Sequence, residues 1–167
     1  MKRSATAAGT TVDVFALAEA SGRASGALAL DACERLAPLL ASTAGQAGWV
    51  LAGGTDALGR PAATLALRAE LTIRCDKCEL DLAWPVERST AFWFVRSEDD
   101  LQQVPIDDAD AEALVGSARF DVAQLVEDEL ILAIPISPRH PHCEPQPEGA
   151  ATGSHRPLAA LGALKRG

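Results

Sequence analysis

The residues best suited to chemistry in this chain are soft metal donors. Cys75 and Cys78 enclose Asp76-Lys77, and Cys143 stands far downstream in Pro138-Arg139-His140-Pro141-His142-Cys143-Glu144. Two cysteines separated by two residues in a tight turn place both sulfurs within reach of one ion, and thiolates are the preferred ligands of tetrahedral zinc. Cys143 with His142, or with His140 in its place, could complete the shell from a remote segment, because the cost of closing a long loop grows only slowly with its length. Zinc held by four protein ligands would be structural, since no coordination position is left open for substrate. The competing reading makes Cys75 and Cys78 partly buried small residues and the His-rich stretch a solvated tail.

A second chemistry for the same pair is thiol redox exchange. Reactive pairs usually set the first cysteine at a helix N-terminus, which lowers its pKa, whereas Cys75 follows one expected strand and precedes another. Cys33, on the apolar side of an expected helix, reads as core packing. Nucleophilic and acid–base catalysis find little material. The chain has no Tyr, its three His all lie in the Pro-rich C-terminal stretch, and no Ser sits in a nucleophile elbow or beside a base. Glu127, Asp128 and Glu129 are consecutive on an expected helix, so they radiate to different sides and suit solvation or docking. Gly53-Gly54 lies in an expected hairpin turn and lacks phosphate-loop spacing.

The elements that must position the cysteines are readable from periodicity. Ala63 to Arg74 alternates, with Leu65, Leu67, Leu71 and Ile73 on one face and Arg68, Glu70, Thr72 and Arg74 on the other, the pattern of a half-buried strand. Trp49-Val50-Leu51 pairs with it across the turn signals Gly53-Gly54-Thr55-Asp56 and Gly59-Arg60-Pro61. Strand composition resumes from Leu82 to Val95, which puts the CxxC at a hairpin turn. Upstream, Val12 to Phe15 alternates like a short strand. Asp31 and Glu34 suggest a capped short helix kinked at Pro38. Ser97 to Gly116 reads as a long acidic loop. Asp121 can cap a helix whose Val122, Leu125, Val126, Leu130 and Ile134 form one apolar stripe, ended by Pro135. The expected fold class is α+β: an antiparallel sheet built mainly from residues 48–95, a few helices packed on it, a flexible acidic loop and a Pro-rich C-terminal tail. A disordered N-terminus over 1–11 precedes one domain over 12–144, and a tail over 145–167 follows, with a short helix at 157–164.

At 167 residues and 48% apolar composition the chain can bury a modest, mostly aliphatic core. Neither a signal peptide nor a transmembrane helix is expected, so the thiols should stay reduced in the cytosol. The formal net charge of −8 argues against a broad phosphate-binding surface. Between Ser97 and Leu130 there are eleven acidic residues against Arg119 alone. Such a run is either a solvated face or a surface for a basic partner.

Three segments in fixed order add a resemblance: Cys75-Asp76-Lys77-Cys78, then Leu125-Val126-Glu127-Asp128-Glu129-Leu130-Ile131-Leu132-Ala133-Ile134-Pro135, then Pro138 to Glu144, with a coda from Arg156 to Arg166. Together they resemble the bacterial YceD family, named for accumulation of large-subunit ribosomal RNA. The resemblance runs from about Val12, weakly before residue 70 and strongly after it. Lys77, Asp81 and Leu82 replace the family's usual Arg, Pro and aromatic residue, so the turn leaving the CxxC should have its own shape. Residues aligning with the motif are Cys75, Cys78, Val126, Glu127, Asp128, Glu129, Pro135, His142 and Cys143. The resemblance implies a non-enzymatic cytoplasmic factor in the synthesis, processing or stability of 23S ribosomal RNA. Its partners would be basic ribosome-assembly or rRNA-processing proteins, with no membrane and no DNA, and any RNA contact confined to patches such as Lys2-Arg3 or Lys165-Arg166. The alternative is a metal-handling or thiol redox protein in which the CxxC itself does the work.

Overall fold

The computed structural model describes residues 11–104 and 111–143. Lys2-Arg3, Lys165-Arg166, the acidic Asp107, Asp108 and Asp110, and the tail with its expected helix at 157–164 lie outside the described residues. No described helix is long and apolar enough to cross a membrane.

The chain is α+β, as its periodicities indicate. Strand β1 (Thr11–Val12) is short, because the Asp13 carboxylate accepts hydrogen bonds from the amides of Phe15 (3.1 Å) and Ala16 (3.0 Å) and opens helix α1 (Val14–Glu19). The strand expected over Val12 to Phe15 is thus cut short by its own cap. Strand β2 (Arg23–Ala29) follows, then two isolated 3-10 turns at Leu30–Ala32 and Ala37–Leu39 where a kinked helix was expected. Asp31 caps nothing, and the extended backbone of Cys33 separates the turns. Pro38, which has no amide to donate, sits within the second.

Strands β3 (Gln46–Thr55), β4 (Pro61–Arg74) and β5 (Asp81–Val95) form an antiparallel meander with β2. In its register Trp49 faces Leu67, Leu51 faces Leu65, and Leu71 faces Trp84. Leu65, Leu67, Leu71 and Ile73 are all buried to 1% exposure or less, so the period-two pattern reports the core face. Gly53 and Gly54 lie in the ladder opposite Ala63 and Ala62, not in the turn, which Asp56 to Gly59 supplies instead.

The stretch expected as one acidic loop carries two elements. Helix α2 (Glu98–Gln102) starts where the Ser97 hydroxyl accepts the Asp100 amide at 3.2 Å, and Glu98, Asp99 and Asp100 occupy its first turn, where the helix dipole favours negative charge. Composition that reads as disorder is here the chemistry of a helix start. Strand β6 (Glu112–Val115) then joins β5 in parallel, giving the sheet order β2-β3-β4-β5-β6. Strand β7 (Phe120–Asp121) pairs with β1 and leads into helix α3 (Val122–Ala133), with Asp121 as its cap. Val122, Leu125, Val126 and Leu130 lie in one core cluster with the inward residues of β3, β4 and β5.

Candidate metal centre

The turn between β4 and β5 is closed by two backbone hydrogen bonds. The Cys75 amide donates to the Leu80 carbonyl and the Glu79 amide to the Cys75 carbonyl, both at 2.9 Å. The loop tightens further because Glu79 adopts a left-handed φ of 60°. Cys75 and Cys78 are buried within it, at 1% and 6% exposure. Asp81 and Leu82 already belong to the β5 ladder, opposite Arg74 and Ile73.

The segment after α3 folds back over this turn. The Pro138 carbonyl accepts the Asp76 amide at 2.8 Å, and Lys77 Nζ donates to the Cys143 carbonyl at 2.6 Å. These two bonds bring the remote residues into place. Cys143 Sγ lies 3.6 Å from Cys75 Sγ, and His140 Nδ1 lies 3.4 Å from Cys78 Sγ. The candidate ligand atoms of Cys75, Cys78, His140 and Cys143 all fall within 4.8 Å of one another.

These distances discriminate between chemistries. A disulfide needs sulfurs about 2.05 Å apart, so Cys75 and Cys143 are not bonded. Zinc–sulfur bonds of about 2.3 Å set the sulfurs of a tetrahedral site about 3.8 Å apart, and sulfur and imidazole nitrogen about 3.5 Å apart. The observed 3.6 and 3.4 Å are close to both values. His140 Nε2 sits 3.1 Å from the Asp81 carbonyl. A carbonyl can only accept, so Nε2 carries the proton and Nδ1 turns its lone pair toward the sulfurs. That fixed tautomer is the one a metal ligand requires.

The thiols are electrostatically unequal. Burial pushes the Cys75 thiol up, but hydrogen bonds to its sulfur from the backbone amides of Cys78, Lys77 and His140, and from the Cys78 thiol, bring it down to about 5. Burial, then hydrogen bonds to Cys78 and Cys75 and the negative charge of those neighbours, push Cys143 up to about 12. Without a cation, negative charge on Cys75 opposes ionisation of Cys143. A divalent ion among the donors would remove that opposition and stabilise several thiolates together. The donor set therefore fits zinc, with Cys75, Cys78, His140 and Cys143 as the residues that would hold it.

His142, the first choice from sequence, is exposed and stands outside the cluster. The signal that favours His140 was present: His140 and Cys143 enclose two residues, as Cys75 and Cys78 do, so both pairs can present their ligands from a single turn. His142, adjacent to Cys143, cannot share that geometry as readily. Cys33 is buried at 1% exposure in the core, and burial, with help from Glu127 and Asp31, raises its thiol to about 11. It is inert packing, held by a short 3-10 segment instead of a helix.

The three consecutive acids of α3 are not simply solvated. Glu127 accepts the backbone amides of Arg35 (2.7 Å) and Leu36 (3.1 Å) and pairs with the Arg35 guanidinium at 3.0 Å. Glu129 is 3% exposed, accepts the Thr90 hydroxyl at 2.6 Å and lies 3.5 Å from Arg88 Nε. Asp128 alone projects outward, where it meets Arg35.

No solved structure matches the chain. A family model, described as large ribosomal RNA subunit accumulation protein YceD, matches residues 63–165. The matched stretch begins in β4 and takes in the cysteine turn, the α3 acids and the segment that closes the cluster, and on that match the chain belongs to the YceD family.

Proposed function

We propose that this chain is a non-enzymatic factor in the synthesis, processing or stability of 23S ribosomal RNA, acting in the cytoplasm through a basic protein partner. The observation that carries this reading is the family match over residues 63–165, whose description names accumulation of large-subunit RNA. Zinc held by Cys75, Cys78, His140 and Cys143 would serve as a structural clip, fastening the segment after α3 to the β4–β5 turn. Four protein ligands leave no position for a substrate, which argues for scaffold over catalyst. The low pKa of Cys75 is what a redox thiol would also need. Its burial and its place after a strand argue against exchange with solvent thiols.

Deletion of the gene should lower mature 23S RNA relative to 16S, and the parent chain should restore the ratio. An unchanged ratio with normal subunit profiles would remove the assignment. Complementation by a chain carrying Cys75→Ser and Cys78→Ser separates the two roles of the thiols. Loss of rRNA accumulation in step with loss of folded protein supports the clip. Full folding with no accumulation would favour direct thiol or metal chemistry.

A further inference from the structure

A groove runs between β6 and α3. It comprises two adjoining cavities of about 340 and 470 Å³, and Leu114, Leu125 and Asp128 line both, so the two are continuous. Strand β6 ends the sheet order, and no described strand pairs along its outer side. An edge of this kind presents unpaired amides and carbonyls to any chain of matching geometry. The register Phe92 to Glu112 and Phe94 to Leu114 turns Glu112 and Leu114 toward the same side of the sheet as the core phenylalanines, which is the groove side. On the opposite wall Leu132 is 64% exposed although α3 otherwise buries its apolar face.

The charges along the groove are unbalanced. Glu112, Asp121, Asp128 and Glu129 line it, against Arg35 and Arg119. Arg35 is divided between Glu127 and Asp128, and Arg88 offsets Glu129, so the charge left unmatched is that of Glu112, Asp121 and part of Asp128, against Arg119. The last turn of α3, whose carbonyl end carries the negative pole of the helix, holds no basic residue. Nucleic acid is a poor occupant, because its phosphates would meet these carboxylates. A second copy of this chain would bring like charge against like, at a net −8 each.

We infer that the groove takes an extended Lys/Arg-rich segment of a partner protein, added as a strand along β6. Its cationic heads would meet Glu112, Asp121 and Asp128, and its aliphatic stems would lie on Leu114 and Leu132. This rests on the reading above that the chain works through a protein partner, and it names the chemistry of that partner and where it docks.

The test uses a short fluorescent peptide alternating Arg or Lys with Val, titrated into the full chain at low salt and followed by anisotropy. Glu112→Gln with Asp128→Asn removes two carboxylates from the groove, and Glu19→Gln with Glu70→Gln removes two exposed ones on α1 and β4, away from β6. Both variants have the same net charge. The groove variant should weaken binding about tenfold and the control variant less than about twofold, because close charge pairs outweigh distant ones at short range. Amide resonances of Glu112, Ala113, Leu114 and Val115 should shift with the same titration. Equal weakening by both variants, unperturbed β6 amides, or no binding of the probe to the parent would each overturn the groove. A deletion strain with normal 23S RNA would instead overturn the assigned role and leave the binding result standing, so the two readings can fail separately.

Discussion

Glu127 connects helix α3 to a segment with no regular structure of its own. Its carboxylate is the hydrogen-bond acceptor for the Arg35 and Leu36 amides, and Leu36 is fully buried. Burial alone would raise this carboxyl, but the amides of Leu36 and Arg35 and then the Arg35 guanidinium prevail and hold it below its ordinary 4.5. Truncation by Glu127→Ala leaves buried amides without an acceptor and should destabilise by about 3 kcal/mol near neutral pH. A carboxyl depressed in the folded state contributes stability above its unfolded pKa and loses it as pH falls through the folded value. The gap in urea midpoint between the parent and Glu127→Gln should therefore close as pH falls below about 4.5. A gap that stays constant down to pH 3 would show that the carboxylate charge contributes nothing. The burial of Glu129 was legible, since it lies seven residues after Val122 and three after Val126, on the apolar stripe itself. That of Glu127 was not, because its partners come from a turn 92 residues away.

Where one face of an element is buried against a layer, its pattern could be read directly, and β3, β4, β5 and α3 follow. Elements defined by contacts from elsewhere escaped. Strand β6 is four residues at a sheet edge, α2 is a single capped turn and a little more, and the 3-10 turns near Pro38 hold their shape through Glu127. The donor cluster was legible as far as its three cysteines, while the histidine that joins it depended on how Pro138 and Lys77 seat the returning segment. Gly53 shows the same limit. It reads as a turn residue, yet it lies in β3 because the backbone of α1 crosses it so closely that an added Cβ would collide with the Leu17 carbonyl. Since a carbonyl of the main chain cannot rotate away, Gly53→Ala should destabilise by about 2 kcal/mol, whereas Gly54→Ala, with open space around it, should cost less than about 1 kcal/mol. Thermal melts of the two variants side by side test this. Equal melting temperatures would mean that α1 shifts without penalty.

At the scale of the molecule, the cysteine turn and the segment after α3 meet through the Asp76–Pro138 and Lys77–Cys143 hydrogen bonds, and an ion on their four donors would lock them into one unit. Purified chain should carry about one zinc ion, and chelation should lower its melting temperature by about 5–10 °C, since binding free energy at such a site belongs to the fold. His140→Ala should lose the metal and His142→Ala should keep it. Protein prepared without chelator and found free of metal would reject the clip. The bond from Glu127 to the turn at Arg35 and Leu36 has a temporal counterpart. A nascent chain emerges N-terminus first, and the meander from β2 to β5 can zip as it appears because each strand pairs with its sequence neighbour. Helix α1, made before the sheet, packs on β3 and β4, but the rest of the apolar side, and the amides at Arg35 and Leu36, must wait until α3 has been translated. Through that interval the growing polypeptide carries a finished sheet whose greasy face is only partly covered, the stage at which it is most exposed to chaperone capture or to aggregation with its siblings.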